Sequence, residues 1–260
     1  MKLHYRLQPA RQPGDALPVV LLHGLFGSLD NLGVLARPLQ EQHATLQIDL
    51  RNHGLSPHDS DAGYAAMAGD VLALLDELQI ERCIVIGHSM GGKVAMMLTA
   101  LIPGRIAGLV VIDMAPVSYP TRHHDGVFAA LRRVSAAGIT QRTEAAALMR
   151  EDIADQGTIQ FLLKSLRPEG WQFNVEALWN SYPALIAWQE SAPWPGPVLF
   201  IRGEKSPYLD DRYRQDIQRQ FPQARGHAIA GAGHWVHAEK PEATVRAVAR
   251  FLASLPKRPD

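Results

Sequence analysis

Short apolar runs alternate with longer helical patterns along the first half of the chain. Four of these runs end in glycine or in a polar loop, as buried strands do: PVVLLHG at 18–24, ATLQIDL at 44–50, CIVIG at 83–87 and LVVIDM at 109–114. YAAMAGDVLALLDEL at 64–78 and GKVAMMLTALIP at 92–103 place apolar residues at helical spacing. Strands that alternate with helices of about 10–15 residues predict βαβ units and a largely parallel sheet.

The pattern changes between residues 116 and 195. Helical spacing continues there without a strand that could belong to a βαβ unit, and four of the five tryptophans lie in this segment. PVLFIRG at 197–203 then resumes the alternation, followed by a helix, a short strand and a final helix. The simplest prediction is an α/β domain in two parts, 1–115 and 196–260, interrupted by a helical insertion. The last five residues, PKRPD, are expected to form a loose tail.

Composition narrows the class of partner. Lys plus Arg and Asp plus Glu are equal at 26 each, so the charge balance favours neither nucleic acid nor an anionic membrane. Cys83 is the single cysteine, which excludes an intrachain disulfide, and its apolar surroundings predict a buried small side chain. The N-terminus lacks the apolar stretch of a signal peptide, and no run of about 18 apolar residues could insert into a membrane. A soluble, cytoplasmic protein is therefore expected, with its oligomeric state left open.

VIGHSMGGK contains the motif G-x-S-x-G at Gly87, Ser89 and Gly91. Alone the motif is weak, but here it follows an apolar strand and opens a helix, as a nucleophile elbow requires. A sharp strand-to-helix turn strains the serine backbone, and a side chain at either glycine position is expected to collide with neighbouring segments. The helix start also directs free N–H groups at the space above Ser89. Ser89 is therefore predicted to be a nucleophile; the alternative is a serine that only caps the helix.

Four motifs in order along the chain resemble those of the α/β-hydrolase superfamily. They are HGLFGS at 23–28, D-x-RNHGLS at 49–56, GHSMGG at 87–92 and GAGHWVHAEKPE at 231–242. More narrowly, the whole chain is similar to the YbfF-type esterases, relatives of the abhydrolase-domain proteins of mitochondria. The resemblance implies an α/β-hydrolase fold with an eight-stranded, mostly parallel sheet. It also implies a helical cap inserted after strand six, which agrees with the insertion over 116–195.

Among the eleven histidines, His234 fits the role of general base best. It follows a short strand and a glycine-rich turn, so it is expected at the carboxyl edge of the sheet, where ligands bind in α/β proteins. The chain order Ser, acid, His is also that of this fold. His237 is the rival, but it lies about where the last helix begins. Neither a metal-ligand spacing nor a dinucleotide motif is recognised, so no metal and no other cofactor is expected.

An oxyanion hole needs two backbone N–H donors. One is expected from Met90, directly after the nucleophile. The other is expected from Leu25 in the loop HGLFG, where the backbone alone matters.

The position of the acid is the least obvious feature of the site. The resemblance implies two strand ends that can carry it, and the commoner one, after PVLFIRG, has Ser206 in place of a carboxylate. The other is the end of the preceding strand, where Asp113 stands. Neighbouring strands lie about 4.8 Å apart, a displacement that a side chain and a turn can absorb. Asp113 is therefore predicted to be the acid, with a turn cap as the alternative.

Ser206 and the nearby carboxylates have other predicted roles. Ser206 either forms the turn before Pro207 or donates its hydroxyl to Asp113 or His234. Glu204 is expected to face solvent, and the remaining pair, Asp210 and Asp211, to begin a helix.

These residues predict a serine carboxylesterase that hydrolyses short- to medium-chain acyl esters through an acyl-Ser89 intermediate. The alternatives are an acyl-CoA thioesterase with the same residues and a non-hydrolysing ligand-binding protein of the same fold. Five arginines between residues 116 and 150 could serve an anionic leaving group, although a solvated face explains them as well. Apolar residues of the insertion either line an acyl pocket or hold the insertion onto the core: Phe128, Phe161, Leu162, Leu163 and the tryptophans.

Overall fold

A computed structural model describes residues 1–256 of the chain. Its strands are β1 (Tyr5–Gln8), β2 (Val19–Leu22), β3 (Thr45–Ile48), β4 (Cys83–His88), β5 (Ile106–Ile112), β6 (Leu166–Arg167), β7 (Gly170–Trp171), β8 (Val198–Gly203) and β9 (Ala224–Ile229). Seven of them form one sheet in the spatial order β1-β3-β2-β4-β5-β8-β9. All neighbours pair in parallel except β1, which is antiparallel to β3.

The α-helices are α1 (Gly33–Leu39), α2 (Tyr64–Glu77), α3 (Met90–Leu101), α4 (Asp125–Ala136), α5 (Arg142–Met149), α6 (Gln156–Leu163), α7 (Val175–Ile186), α8 (Arg214–Gln220), α9 (Val236–Glu239) and α10 (Pro241–Ala253). Of these, α2 and α3 pack on one face of the sheet, and α1 and α10 pack on the other. Successive side chains of a strand point to opposite faces. Val20 and Leu22 of β2 therefore join one core with α2 and α3, whereas Val19 and Leu21 join the other with α1 and α10. Burial on both faces explains why the central strands are continuous apolar runs.

The predicted α/β architecture with a mostly parallel sheet is confirmed, but the predicted number of eight strands is wrong for the described residues. Within residues 1–256 seven strands form the sheet, and the segment between β1 and β2 contributes none. That segment carries Pro9, Pro13 and Pro18, which have no backbone N–H to donate to a neighbouring strand. The insertion consequently follows β5, the fifth strand in chain order, rather than the sixth.

Four helices, α4 to α7, lie between β5 and β8, as the helical spacing of 116–195 predicts. The exception is the hairpin of β6 and β7, which the helical pattern did not indicate. Gly170 opens β7 with a φ of 113°, a conformation that favours glycine. The division of the chain at 115/116 and 195/196 stays a prediction.

Three expectations concern single residues or segments. Cys83 is buried, as predicted, and burial raises the pKa of its thiol to about 12. Within residues 1–256, every helix falls short of the length and apolar character that crossing a membrane requires. The expected tail begins at Pro256, and its last four residues lie outside the described part of the chain.

Candidate active site

Ser89 occupies a strained turn between β4 and α3. Its φ and ψ are 55° and −120°, a backbone conformation that costs a residue with a side chain about 1–3 kcal/mol. A Cβ atom at Gly87 would lie 2.1 Å from the carbonyl oxygen of Gly91, and one at Gly91 would lie 2.2 Å from that of Leu22. The predicted collisions are therefore present, and they explain both glycines of the motif.

Ser89, His234 and Asp113 form one hydrogen-bonded line. The Ser89 hydroxyl donates to His234 Nε2 over 2.8 Å, and His234 Nδ1 donates to Asp113 Oδ2 over 2.7 Å. Asp113 is completely buried, whereas the His234 side chain keeps 21% of its surface exposed. The structure thus brings together three residues that follow β4, β5 and β9. A serine that only caps α3 is not what is found, because Ser89 makes no side-chain cap hydrogen bond.

The Asp113 carboxylate receives further donors from the loop after β8. Gly203 N–H donates to its Oδ1 over 2.9 Å, and the Ser206 hydroxyl donates to its Oδ2. A buried carboxylate without partners would be very costly, and here both oxygens are satisfied. Of the roles predicted for Ser206, donation to Asp113 is observed. Ser206 also forms a turn, since its N–H bonds to the Gly203 carbonyl over 3.0 Å.

The remaining carboxylates of this loop have partners other than His234. Glu204 Oε2 accepts from Gly231 N–H over 2.7 Å at the surface. Asp210 accepts from Arg212 N–H over 3.0 Å and starts the short 3₁₀ helix Asp211–Tyr213. Asp210 and Asp211 therefore begin a helical turn, as predicted.

Leu25 and Met90 line the same cavity as Ser89. Met90 is the first residue of α3, where the N–H groups have no partner within the helix. Across residues 1–256, neither its N–H nor that of Leu25 donates to another protein group. Both donors remain available for an oxygen atom above Ser89.

Two buried histidines hold the loop that carries Leu25. His23 Nδ1 donates to the Gly24 carbonyl over 2.8 Å, and its Nε2 accepts from Leu50 N–H over 3.0 Å. His53 Nε2 accepts from Phe26 N–H over 3.1 Å. Burial lowers the pKa of His23 to about 4 and that of His53 to about 3, so each ring stays neutral and keeps one nitrogen as an acceptor.

Sequence reasoning missed two residues that hold His234. His88 Nε2 donates to the His234 carbonyl over 2.9 Å, and the Tyr208 ring stacks on the His234 ring at 4.1 Å. His237, the rival base, lies buried on α9 with its ring 4.5 Å from that of His88. His88 lies inside the motif GHSMGG, and Tyr208 lies two residues after Ser206. Their closeness in sequence to predicted site residues is the one feature that could have indicated them.

The cavity beside Ser89 holds about 400 Å³ of empty space, its open mouth included. Much of its lining is apolar, from Leu25, Met90, Met114, Tyr119, Leu185 and Ile186. The predicted pocket residues do not line it. Phe128, Leu162 and Leu163 are buried in the hydrophobic core, and Phe161 packs on Trp235 at 5.0 Å between ring centroids. These side chains hold the insertion in place, which is the second of the two predicted roles.

The model of the alpha/beta hydrolase family matches residues 19–247, a span that contains Ser89, Asp113 and His234. The chain belongs to this family. The sequence is 54% identical to Esterase YbfF of Escherichia coli K12 over 97% of this chain and 99% of that protein. It is 39% identical to the sn-1-specific diacylglycerol lipase ABHD11 of Mus musculus over 92% of this chain and 83% of the relative.

A solved structure supports the same conclusion. A marine microorganism esterase superposes with a TM-score of 0.90 at 32% identity, over 96% of this chain and 99% of that one. The resemblance to YbfF-type esterases and the α/β-hydrolase fold are thereby confirmed. The chain is a member of a hydrolase family whose similar members include esterases.

Proposed function

We propose that this alpha/beta hydrolase is a serine carboxylesterase that cleaves short- to medium-chain acyl esters through an acyl-Ser89 intermediate. The observation that carries the proposal is the line of hydrogen bonds from Ser89 through His234 to Asp113, which opens into an apolar cavity. A nucleophile, a base in contact with it and a group that orients the base are the elements of acyl transfer. The esterases among the similar proteins support the same reaction class.

In the first half-reaction, Ser89 Oγ attacks the ester carbonyl carbon while His234 Nε2 takes its proton. The carbonyl electron pair moves onto oxygen, where the N–H groups of Met90 and Leu25 would donate to the negative charge. When the tetrahedral intermediate collapses, the bond to the alcohol oxygen breaks and that oxygen takes the proton from His234. Alcohol leaves, and the acyl group remains on Ser89.

In the second half-reaction, water replaces the alcohol. His234 Nε2 removes a proton from water as its oxygen attacks the acyl carbon, and then returns the proton to Ser89 Oγ as the carboxylic acid leaves. Asp113 keeps the proton of His234 on Nδ1, so that Nε2 can accept, and offsets the positive charge of the imidazolium. Ser206 and Gly203 hold the Asp113 carboxylate in this orientation through their hydrogen bonds to it.

The cavity and its surroundings support small acyl esters as the substrate class. Apolar side chains that include Leu25, Met90 and Met114 line it beside Ser89 and suit a hydrocarbon acyl chain. Tyr119, Tyr182, Leu185 and Ile186 line it from the segment 116–195, which in this proposal serves as the cap. The predicted cytoplasmic location belongs to the same proposal.

Charge pairing favours an ester over a CoA thioester. Arginines of the insertion already have carboxylate partners: Arg122 pairs with Asp125, Arg132 with Glu176, and Arg133 with Glu151. Exposed ion pairs of this kind are typical of a solvated face. They leave less positive charge for an anionic leaving group than the arginine count of the sequence suggests.

The test is labelling with a small active-site phosphonate, combined with hydrolysis of p-nitrophenyl esters of increasing acyl length. The wild type should label once and release p-nitrophenol. Ser89→Ala should not label and should lose at least about 10⁴-fold in kcat, as serine hydrolases do when the nucleophile is removed. Ser165→Ala, at a buried residue that is not part of the cavity lining, is the matched control and should label at the wild-type rate. Normal turnover by Ser89→Ala would overturn the proposal, and an unlabelled, inactive wild type would favour the ligand-binding alternative.

A further inference from the structure

Lys93 is buried without an anionic partner. It lies on α3, one turn after Ser89, with no exposed surface. Its ammonium group donates to three backbone carbonyl oxygens, of Ala187 at 2.9 Å, Ile186 at 3.2 Å and Leu185 at 3.5 Å. No carboxylate among residues 1–256 forms an ion pair with it. A charged group in such a place is costly unless its hydrogen bonds are satisfied, so these three contacts need an explanation.

The three carbonyls belong to the C-terminal end of α7. The last carbonyls of a helix have no partner within the helix, and Ala187 is extended, so the helix cannot continue and satisfy them. The partial negative charge of a helix C-terminus also favours a cation there. Lys93 therefore caps α7 from a different part of the fold, from the helix that begins at the nucleophile.

Two other groups share this task. The Tyr64 hydroxyl donates to the Leu185 carbonyl over 2.7 Å, and Tyr119 N–H donates to the Ile186 carbonyl over 2.8 Å. The Ala187 carbonyl has Lys93 as its one hydrogen-bond donor in the part of the chain that the structure describes. The rings of Tyr64 and Tyr119 also lie 5.7 Å and 5.0 Å from the Lys93 ammonium, within the range of cation–π attraction.

The residues that Lys93 holds by their backbone also contact the substrate space by their side chains. Leu185 and Ile186 line the cavity beside Ser89, and their side chains are called here the α7 wall. We propose that Lys93 is a specificity-determining residue, which limits the length of the acyl chain by fixing the α7 wall of the cavity. The proposal rests on the proposed esterase function. It adds a residue that touches neither the substrate nor the reacting atoms.

Substitution by methionine tests this role, because Lys93→Met keeps nearly the same volume and removes all three donors. The Leu185 and Ile186 carbonyls retain Tyr64 and Tyr119, so α7 stays attached to the core. The Ala187 carbonyl loses its donor and must turn toward water, since a buried carbonyl without a partner is unfavourable. The α7 wall then moves and the cavity lengthens.

The experiment measures kcat/KM for p-nitrophenyl acetate, butyrate and octanoate in the wild type and in Lys93→Met. The ratio of octanoate to acetate should rise about tenfold, the factor that corresponds to one lost hydrogen bond to a charged group. Lys164→Met, at an exposed lysine of the insertion that contains α7, is the control and should leave the ratio unchanged. An unchanged ratio in Lys93→Met overturns the inference.

A second variant covers the case in which Lys93→Met does not fold. Tyr64→Phe removes one donor to the Leu185 carbonyl and keeps the ring, so the same ratio should rise about threefold, as for a neutral hydrogen bond. Amide hydrogen exchange in the peptide 183–190 should quicken in each folded variant; unchanged exchange and an unchanged ratio overturn the inference.

Phosphonate labelling separates this inference from the proposed function. Variants that label at the wild-type rate without a shift in chain-length preference overturn the role of Lys93 and leave the esterase intact. A wild type that neither labels nor hydrolyses any ester overturns the proposed function, and the specificity role with it.

Discussion

The ends of β5 and β8 lie side by side at the same edge of the sheet. The residue after β5 supplies the acceptor of one hydrogen bond, and the loop after β8 supplies its donor. β5 ends at Ile112, and the next residue, Asp113, turns its carboxylate to His234 with a φ of 53°. The loop after β8 has more carboxylates, but the side chain that reaches the same place is Ser206, a hydroxyl. The direction of the backbone at a strand end therefore decides which residue meets the histidine, and the number of acidic residues nearby does not.

The register of the two strands shows why the exchange is possible. Ile112 of β5 is opposite Ile201 of β8, and Asp113 N–H continues the pairing by donating to the Ile201 carbonyl over 2.7 Å. The chain after β8 can then fold back over Asp113, so that Gly203 N–H and the Ser206 hydroxyl both reach its carboxylate. The carboxylate after β5 and the two donors after β8 are therefore joined by hydrogen bonds between neighbouring strand ends.

The largest expected effect comes from Asp113→Asn. The amide keeps the shape of the carboxylate, but it carries no charge to offset the imidazolium and can donate a hydrogen to His234 Nδ1, which favours the wrong tautomer. The loss in kcat should be about 10⁴-fold, as for the corresponding change in serine proteases. Steady-state hydrolysis of p-nitrophenyl butyrate measures it. A loss below tenfold would mean that Asp113 is not the acid.

An exchange of the two side chains should restore part of that loss. In the double variant Asp113→Ser, Ser206→Asp, the carboxylate moves to the β8 side of the same contact. Residues in direct contact are commonly coupled by enough to change a rate about tenfold, so the double variant should exceed Asp113→Ser alone by that factor. The comparison requires kcat for the double variant and both single variants. A double variant no faster than Asp113→Ser would show that the β8 loop cannot carry the acid in this chain.

A smaller effect is expected from Ser206→Ala. The change removes the hydroxyl that holds Asp113 Oδ2 and leaves the Gly203 N–H bond to Oδ1. A hydrogen bond to a charged group is worth about 1.5–3 kcal/mol, so kcat should fall by about tenfold or somewhat more. Ser165→Ala, another buried serine, controls for the loss of a hydroxyl as such. A loss as large as that of Asp113→Asn, or no loss, would contradict the proposal that Asp113 is the acid and that Ser206 only holds its carboxylate.

The sequence predicted those parts of the site in which the local backbone requires particular residues at particular positions. The turn at Ser89 requires Gly87 and Gly91, because the observed collisions are with backbone atoms that cannot move away. The position of Asp113 followed from the resemblance, which implies two strand ends for the acid, together with a single polar residue after an apolar strand. The glycines and this polar residue all lie within a few positions of the site.

The parts that were missed depend on contacts between distant segments. Lys93 follows the GHSMGG motif and looks in sequence like an ordinary surface lysine, but its partners are 92 to 94 residues away on α7. The stacking of Tyr208 on His234 likewise joins two segments that are apart in the sequence. The strand count failed for another reason, since eight strands were inferred from the resemblance and not from the apolar runs of this chain. Spacing alone cannot show which side chains meet across a fold.

The smallest effect is expected from Glu204→Gln. This variant tests whether a carboxylate of the loop after β8, rather than Asp113, serves as the acid. The Glu204 carboxylate accepts from Gly231 N–H, and the amide oxygen of glutamine can accept the same hydrogen bond. Its side chain is exposed and has no contact with His234, and surface substitutions of this kind change free energies by about 0.5 kcal/mol or less. The value of kcat/KM should therefore stay within about twofold of the wild type, as should those of Asp210→Asn and Asp211→Asn. If Glu204→Gln were as damaging as Asp113→Asn, the acid would belong to the β8 loop, and the carboxylate at the end of β5 would be left with a purely structural part in the turn.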